Sequence, residues 1–189
     1  MGTVTAPWKQ LVLEAMESNA HLKNASLFQL ATVGLNGRPS NRTVLFRGFQ
    51  DGSDRIEIDA DSRSHKIEEL KHCPFAEICW YFADSLEQFR IKGTIEIIDE
   101  SSPDPVNLQQ REKSWFARSP RTKMLFLDSG HSYLEPPPKD AFPELCGGPV
   151  AAYCILVLHP EQVDYMNGKS NQRQVFTLDQ NANGDKCWT

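Results

Sequence analysis

An antiparallel β-sheet closed into a small barrel, with helices at its periphery, is the architecture this sequence predicts. The fold class is mainly β, of α+β character. Strand-like runs outnumber helical ones, and tight turns such as Asn36-Gly37 and Asn167-Gly168 separate them. Strands and helices do not alternate as a parallel Rossmann sheet requires, and no GxGxxG occurs. The 189 residues suit one domain spanning 1–189.

The chain opens with a helix: Thr5 is a candidate N-cap, Pro7 falls in the first turn, and Trp8, Leu11, Val12, Ala15 and Met16 recur at helical spacing. SLFQLATVG then runs through Asn36-Gly37 into GRPSNRTVLFRGF (37–49), a hairpin. After the QDGSD turn, RIEIDA alternates as a third strand. A second helix covers 62–72 and ends before Cys73-Pro74. FAEICWYFA and EQFRIKGTIEIID are two strands joined by a short loop. A helix over 104–118 carries Val106, Leu108, Trp115 and Phe116. The stretch 119–149 holds six prolines and reads as an irregular excursion or lid. VAAYCILVLHP is the most apolar strand, and QVDYM with QVFTL forms a last hairpin.

Composition narrows the function. Hydrophobic residues make up 40% and charged residues 24%, which reads as a soluble globular chain. A net charge of -5 argues against nucleic acid or an anionic membrane surface as a partner. No apolar run reaches transmembrane length. The five cysteines form no CxxC, the five histidines show no ligand spacing, and no G-x-S-x-G elbow occurs. Metal and hydrolytic-triad chemistry are therefore unsupported. An odd cysteine count without a secretory segment points to a reducing, cytoplasmic setting.

Four constellations carry chemistry. In DSRSHK (61–66) a polar turn opens a helix directly after a strand, so backbone N–H groups converge near Arg63, Ser64 and Lys66. That suits a phosphate; a capped surface helix with solvated basic residues accounts for the same pattern. Arg42 and Arg47 bracket an apolar interval. On a regular strand they face opposite sides, about 17 Å apart, and suit opposite ends of a long ligand. Gln88 and the basic cluster Arg118, Arg121 and Lys123 beside Trp115 have both structural and ligand-binding readings.

Taken together, these segments resemble the pyridoxamine 5′-phosphate oxidase family of FMN proteins, most strongly over 29–98. NGRPSNRTVLFRGF resembles the family's Arg-x-Val-Leu strand, IDADSRSHKIEEL its phosphate turn, and EQFRIKGTIE its Gln-bearing strand with a following glycine. The flavour is that of a shorter plant and cyanobacterial branch. The resemblance implies a six-stranded Greek-key split barrel and a homodimer with FMN at the subunit interface. It places Arg42 and Lys66 at the FMN phosphate, with Asp59, Ala60, Arg63, Ser64 and His65 around them. Thr43, Val44 and Leu45 run under the flavin ring, Gln88 meets its pyrimidine edge, and Arg47 lies near flavin and substrate phosphate. Arg47, Trp115, Arg121 and Arg173 are the substrate-holding residues. No residue is assigned as a catalytic nucleophile.

The chain departs from the family at His65, where an arginine is usual, at Met166 for a tryptophan, and at Val175 for a second phosphate arginine. Gln172, Arg173 and Gln174 stand where the family has Arg-x-His, and the Arg-x-x-Pro tail does not follow. The implied reaction is FMN-dependent oxidation of pyridoxamine or pyridoxine 5′-phosphate to pyridoxal 5′-phosphate, with O2 as acceptor. Two other readings stay open: a flavin- or tetrapyrrole-binding module without vitamin B6 oxidase activity, and an FMN reductase of another small molecule.

Overall fold

Period-two alternation of apolar residues builds most of the sheet. In the computed structural model, which describes residues 6–127, 146–180 and 186–189, the elements are α1 (Pro7–Ser18), β1 (Leu27–Val33), β2 (Pro39–Phe49), β3 (Ile56–Asp61), α2 (His65–His72), β4 (Phe75–Phe82), β5 (Glu87–Ile98), α3 (Pro105–Phe116), α4 (Pro120–Lys123), β6 (Tyr153–Asn167), β7 (Gln172–Gln180) and β8 (Lys186–Trp188). The sheet order is β3-β2-β1-β4-β5-β6-β7-β8, and β3 pairs additionally with β6. The run from β3 to β6 thereby closes into a six-stranded antiparallel barrel, the split-barrel class expected.

The chain divides into two compact units. The first comprises Met1–Ile58, Glu68–Glu96 and Val157–Thr189; the second comprises Asp59–Ile67 and Ile97–Leu156.

In the first unit, Phe28 and Leu30 of β1, Ile78 and Trp80 of β4, and Phe89 and Ile91 of β5 are fully buried. Their sequence neighbours, Gln29, Cys79 and Gln88 among them, point the other way because successive strand residues alternate. The Trp80 ring lies 5.1 Å from Phe28, 4.9 Å from Phe46 and 5.2 Å from Phe82, and its indole N–H donates to the Ala25 carbonyl at 2.9 Å. Helix α1 buries Trp8, Val12 and Ala15 as its spacing requires, with Trp8 against Phe49 and Trp188. Its N-cap is Ala6, without a side-chain cap bond; Thr5 lies outside the described residues.

In the second unit, Trp115, Phe126 and Tyr153 form a buried aromatic cluster, with Tyr153 5.1 Å from Trp115 and 4.9 Å from Phe126. Arg111 is also buried, donating to the carbonyls of Tyr153 at 2.9 Å and Val150 at 2.8 Å. Helix α3 begins after Asp104, whose carboxylate accepts the Val106 N–H. Of its expected apolar residues only Trp115 is buried; Val106, Leu108 and Phe116 stay exposed.

Several boundaries differ from the sequence reading. The second helix starts at His65 rather than 62, because the Asp61 carbonyl takes both the Ser64 N–H and its hydroxyl and holds 61–64 as a turn. VAAYCILVLHP and QVDYM merge into the single strand β6, since the fixed φ of Pro160 suits extended chain. Residues 120–126 of the expected irregular stretch form α4 and a 3-10 turn, while 128–145 lie outside the described residues. The three-residue β8, pairing with β7, was too short to be read from sequence.

Among the described residues no helix is long and apolar enough to cross a membrane. Nor do any three His, Cys, Asp or Glu side chains cluster there as a metal site.

At Gly93 the backbones of β5 and β6 approach closely. A Cβ there would sit 2.0 Å from the His159 carbonyl oxygen and 2.9 Å from its carbon, so any side chain forces β5 and β6 apart. Gly93→Ala is expected to cost about 2–3 kcal/mol, measured by denaturant unfolding. Wild-type stability in this variant would show that the strands separate without strain.

Candidate functional site

Cross-strand register decides which expected ligand residues share a face. Thr43 pairs with Gln29, Gln29 with Cys79, and Cys79 with Arg90, a row crossing β2, β1, β4 and β5. Leu45 pairs with Leu27, and Gln88 with Tyr81. Cross-strand partners point the same way, so Thr43, Leu45 and Gln88 all lie on the outer face. The Cys79 thiol approaches Gln88 Oε1 at 3.8 Å, and burial pushes that thiol's pKa up.

Arg42 and Val44 have the opposite sense, since they pair with the buried Leu30 and Phe28. Val44 therefore offers an outer-face ligand only its backbone. Arg42 turns toward α2. Its Nη1 donates to Thr32 Oγ1 at 2.5 Å and to the Leu30 carbonyl at 3.3 Å; its Nη2 donates to Ser40 Oγ at 2.7 Å and Glu69 Oε2 at 2.6 Å. Glu69 Oε2 also accepts the Thr32 hydroxyl at 2.6 Å. Burial raises the Glu69 pKa, but hydrogen bonds from Thr32, Ser40 and Arg42 and the Arg42 charge outweigh it, leaving the carboxyl below its usual value.

The opposite-face placement of Arg42 and Arg47 assumes a regular strand, and β2 is not regular at Arg47. The β2–β3 register shifts between Phe46 and Gly48, so Arg47 sits in a bulge where strict alternation ends. Gly48, at φ 143, supplies a backbone conformation that a side chain would disfavour. Arg47 itself is half-buried.

A ladder of alternating charge runs from β4 to β7. Arg90 Nε donates to Glu77 Oε1 at 2.6 Å, Arg90 Nη1 lies 3.8 Å from Asp164 Oδ2, and Arg173 donates to both Asp164 oxygens at 2.9 and 2.6 Å. Arg173, expected to hold substrate, is exposed but already paired in this way. Its hydrogen bond, ahead of an opposing burial effect, holds the Asp164 carboxyl below the usual range.

In the second unit the 61–66 turn takes the shape its sequence implies. Lys66 Nζ donates to Ser64 Oγ at 2.7 Å at the start of α2. Arg63 folds back onto Asp61, its guanidinium donating to Oδ1 at 2.9 Å and Oδ2 at 2.7 Å. Burial raises the Asp61 pKa, yet the hydrogen bonds and charge of Arg63, with Lys66, bring it below its ordinary value. His65 occupies the first position of α2.

Three expected ligand residues turn inward instead. Asp59 accepts Arg118 Nε at 3.0 and 2.8 Å and the Tyr153 hydroxyl at 2.9 Å, with the Asp59 and Arg118 side chains 6% and 10% exposed. Ala60 is buried, and its carbonyl accepts the Cys154 thiol, whose pKa burial pushes up to about 12. Trp115 is fully buried with its N–H on the Gly147 carbonyl at 3.0 Å, so its side chain faces the interior of the second unit. Arg121, on α4, remains exposed. Sequence reasoning missed Glu69 and Asp164, the two carboxylates that hold Arg42 and Arg173. Nothing in their local sequence sets them apart from other surface acids.

Comparison with known proteins gives a consistent result. A family model described as the pyridoxamine 5′-phosphate oxidase FMN-binding domain matches residues 5–99. The chain is 55% identical over 192 residues to pyridoxine/pyridoxamine 5′-phosphate oxidase 2 of Arabidopsis thaliana, covering 100% of this chain and 97% of that one. A pyridoxamine 5′-phosphate oxidase-related, FMN-binding protein from Nostoc punctiforme superposes with a TM-score of 0.80 at 31% identity, covering 98% and 97% of the two chains. PhzG from Burkholderia lata shares the fold at a TM-score of 0.70 and 21% identity, covering 98% and 92%.

Removing the Asp59 charge leaves Arg118 buried without its carboxylate. Asp59→Asn is expected to cost about 3–5 kcal/mol by denaturant unfolding, and a cost under 1 kcal/mol contradicts the assignment. Asp164 has a lowered folded pKa, so its stabilisation is complete above its unfolded value and is lost as pH falls through the folded one. Asp164→Asn is expected to be less stable than wild type at neutral pH, with the difference shrinking as acid protonates the carboxylate. A difference unchanged by acid would contradict the pairing.

Proposed function

Because the chain belongs to the pyridoxamine 5′-phosphate oxidase family and is an FMN-dependent oxidoreductase, we propose that it oxidises pyridoxamine or pyridoxine 5′-phosphate to pyridoxal 5′-phosphate with O2 as acceptor. The observation that carries this reading is end-to-end similarity, at 55% identity, to a protein named for that activity. The residues present suit the cofactor. Thr43 and Leu45 share the outer face with Gln88, whose amide can both donate to and accept from a pyrimidine edge. At the start of α2, Ser64, His65 and Lys66 offer a hydroxyl, helix N–H groups and an ammonium to a phosphate.

FMN, when bound, would supply the redox chemistry, a two-electron oxidation at the substrate's C4′ carbon with O2 as final acceptor. The chain's own groups hold and orient. Arg47 in the β2 bulge and Arg173 are the first unit's cations for the substrate phosphate; Asp164 keeps Arg173 in place. None of these groups needs to act as a nucleophile.

A homodimer with FMN at the subunit interface, in the cytoplasm, belongs to the same reading. The outer face carries Phe75, Tyr81 and Leu27, which are 60%, 50% and 38% exposed. A second copy would cover this apolar area beside Thr43, Leu45 and Gln88. The five cysteines are all free thiols, as suits a reducing compartment.

One observation favours a second reading, a flavin-binding module without vitamin B6 oxidase activity. Arg173 is neutralised by Asp164, and no histidine accompanies it between Gln172 and Gln174. Anaerobic mixing of the FMN-loaded protein with pyridoxamine 5′-phosphate separates the two. Bleaching of the flavin absorption, with pyridoxal 5′-phosphate formed, is the expected result; flavin that stays oxidised supports the module.

A further inference from the structure

Resting on the flavin reading, we propose that Glu69 is a positioning residue that sets how strongly the site prefers a phosphorylated flavin. It does so by holding Arg42 in a charge-balanced pair. Four of the five Arg42 N–H donors are committed, to Leu30, Thr32, Ser40 and Glu69. One of those acceptors is a carboxylate oxygen at 2.6 Å. A guanidinium held in this way presents little net positive charge to an incoming phosphate, because the two opposite charges nearly cancel at the distance of a third group.

The pair is partly open to solvent on the Arg42 side, with Glu69 largely buried. The Arg42 side chain is 21% exposed and that of Glu69 12%. Ser40 and Glu69 also form part of the wall of a cavity of about 400 Å³, lined further by Gly34, Asn36, Arg38 and Pro39. An anion can therefore approach the network from solvent and feel both charges. Thr32 completes it, donating to Glu69 while accepting from Arg42, so a shift of the carboxylate breaks its bonds to both Thr32 and Arg42. Glu69 stands three residues after Lys66 in α2, so the helix that supplies a phosphate cation also supplies the anion that offsets Arg42.

A purely structural role predicts something different. If the network only ties β1, β2 and α2 together, its loss weakens binding of every flavin alike. Riboflavin, which lacks the phosphate, separates the two cases.

The test compares FMN and riboflavin dissociation constants, by quenching of flavin fluorescence, for wild type, Arg42→Gln, Glu69→Gln and the double variant. The preference for FMN over riboflavin is expected to fall about tenfold in Arg42→Gln, which leaves Glu69 unbalanced. It is expected to rise on the order of fivefold in Glu69→Gln, which frees the Arg42 charge. In the charge-balanced double variant it returns to within about twofold of wild type. Should Glu69→Gln alone fail to fold, Arg42→Gln and the double variant still decide. An unchanged preference throughout, a lowered one in Glu69→Gln, or a double variant as impaired as Arg42→Gln overturns the proposal. Wild-type protein that binds neither flavin overturns the flavin reading itself, and this assignment with it.

Discussion

Packing around Trp80 is the contact on which the sheet's geometry depends. Its ring meets Phe28, Phe46 and Phe82, and its N–H is tied to Ala25, so β1, β2 and β4 are joined at one buried side chain. A one-residue slip of β4 would carry Trp80 to solvent and bring Cys79 and Tyr81 inside. The aromatic interior thus sets the register, and the register sets the outer face. Thr43, Leu45 and Gln88 share that face because their neighbours are needed in the core, with no ligand required to align them.

The cations follow a second rule. Arg42, Arg63, Arg118 and Arg173 each meet a carboxylate, on Glu69, Asp61, Asp59 and Asp164 respectively. Their environments differ. Arg118 and Asp59 are nearly buried and serve the second unit's interior, whereas Arg63 and Arg173 are exposed, where pairing contributes little to stability. Arg42 falls between them, partly exposed with four of its five N–H donors engaged. A cation in a ligand-binding family is often read as a ligand contact, but here its carboxylate partner decides how much charge remains to offer.

Much of the barrel was legible because strand signals are local. SLFQLATVG, RIEIDA, FAEICWYFA and EQFRIKGTIEIID each alternate or run apolar over a few residues, and β1, β3, β4 and β5 occupy those runs within about a residue at each end. Helix α1 was equally plain from its stripe. The start of α2 was less so: Asp61–Ser64 have the composition of a helix cap, and only the bonds to the Asp61 carbonyl show a preceding turn. The bulge at Arg47 left only Gly48 as a trace, and β8 was too short to carry a pattern.

Taken alone, the sequence determined the order of the elements, the hairpins and the local turn that brings Ser64 and Lys66 to the head of α2. These depend on alternation, glycine turns and helix starts, all set within a few residues. Tertiary structure decided the closure of β3 on β6 and the fate of the charged groups. Glu69 reaches Arg42 across 27 positions, and Arg118 reaches Asp59 across 59. Such pairs form when packing has already brought distant strands and helices together. Local sequence marks a residue as charged, whereas the fold determines whether that charge faces a ligand or a partner.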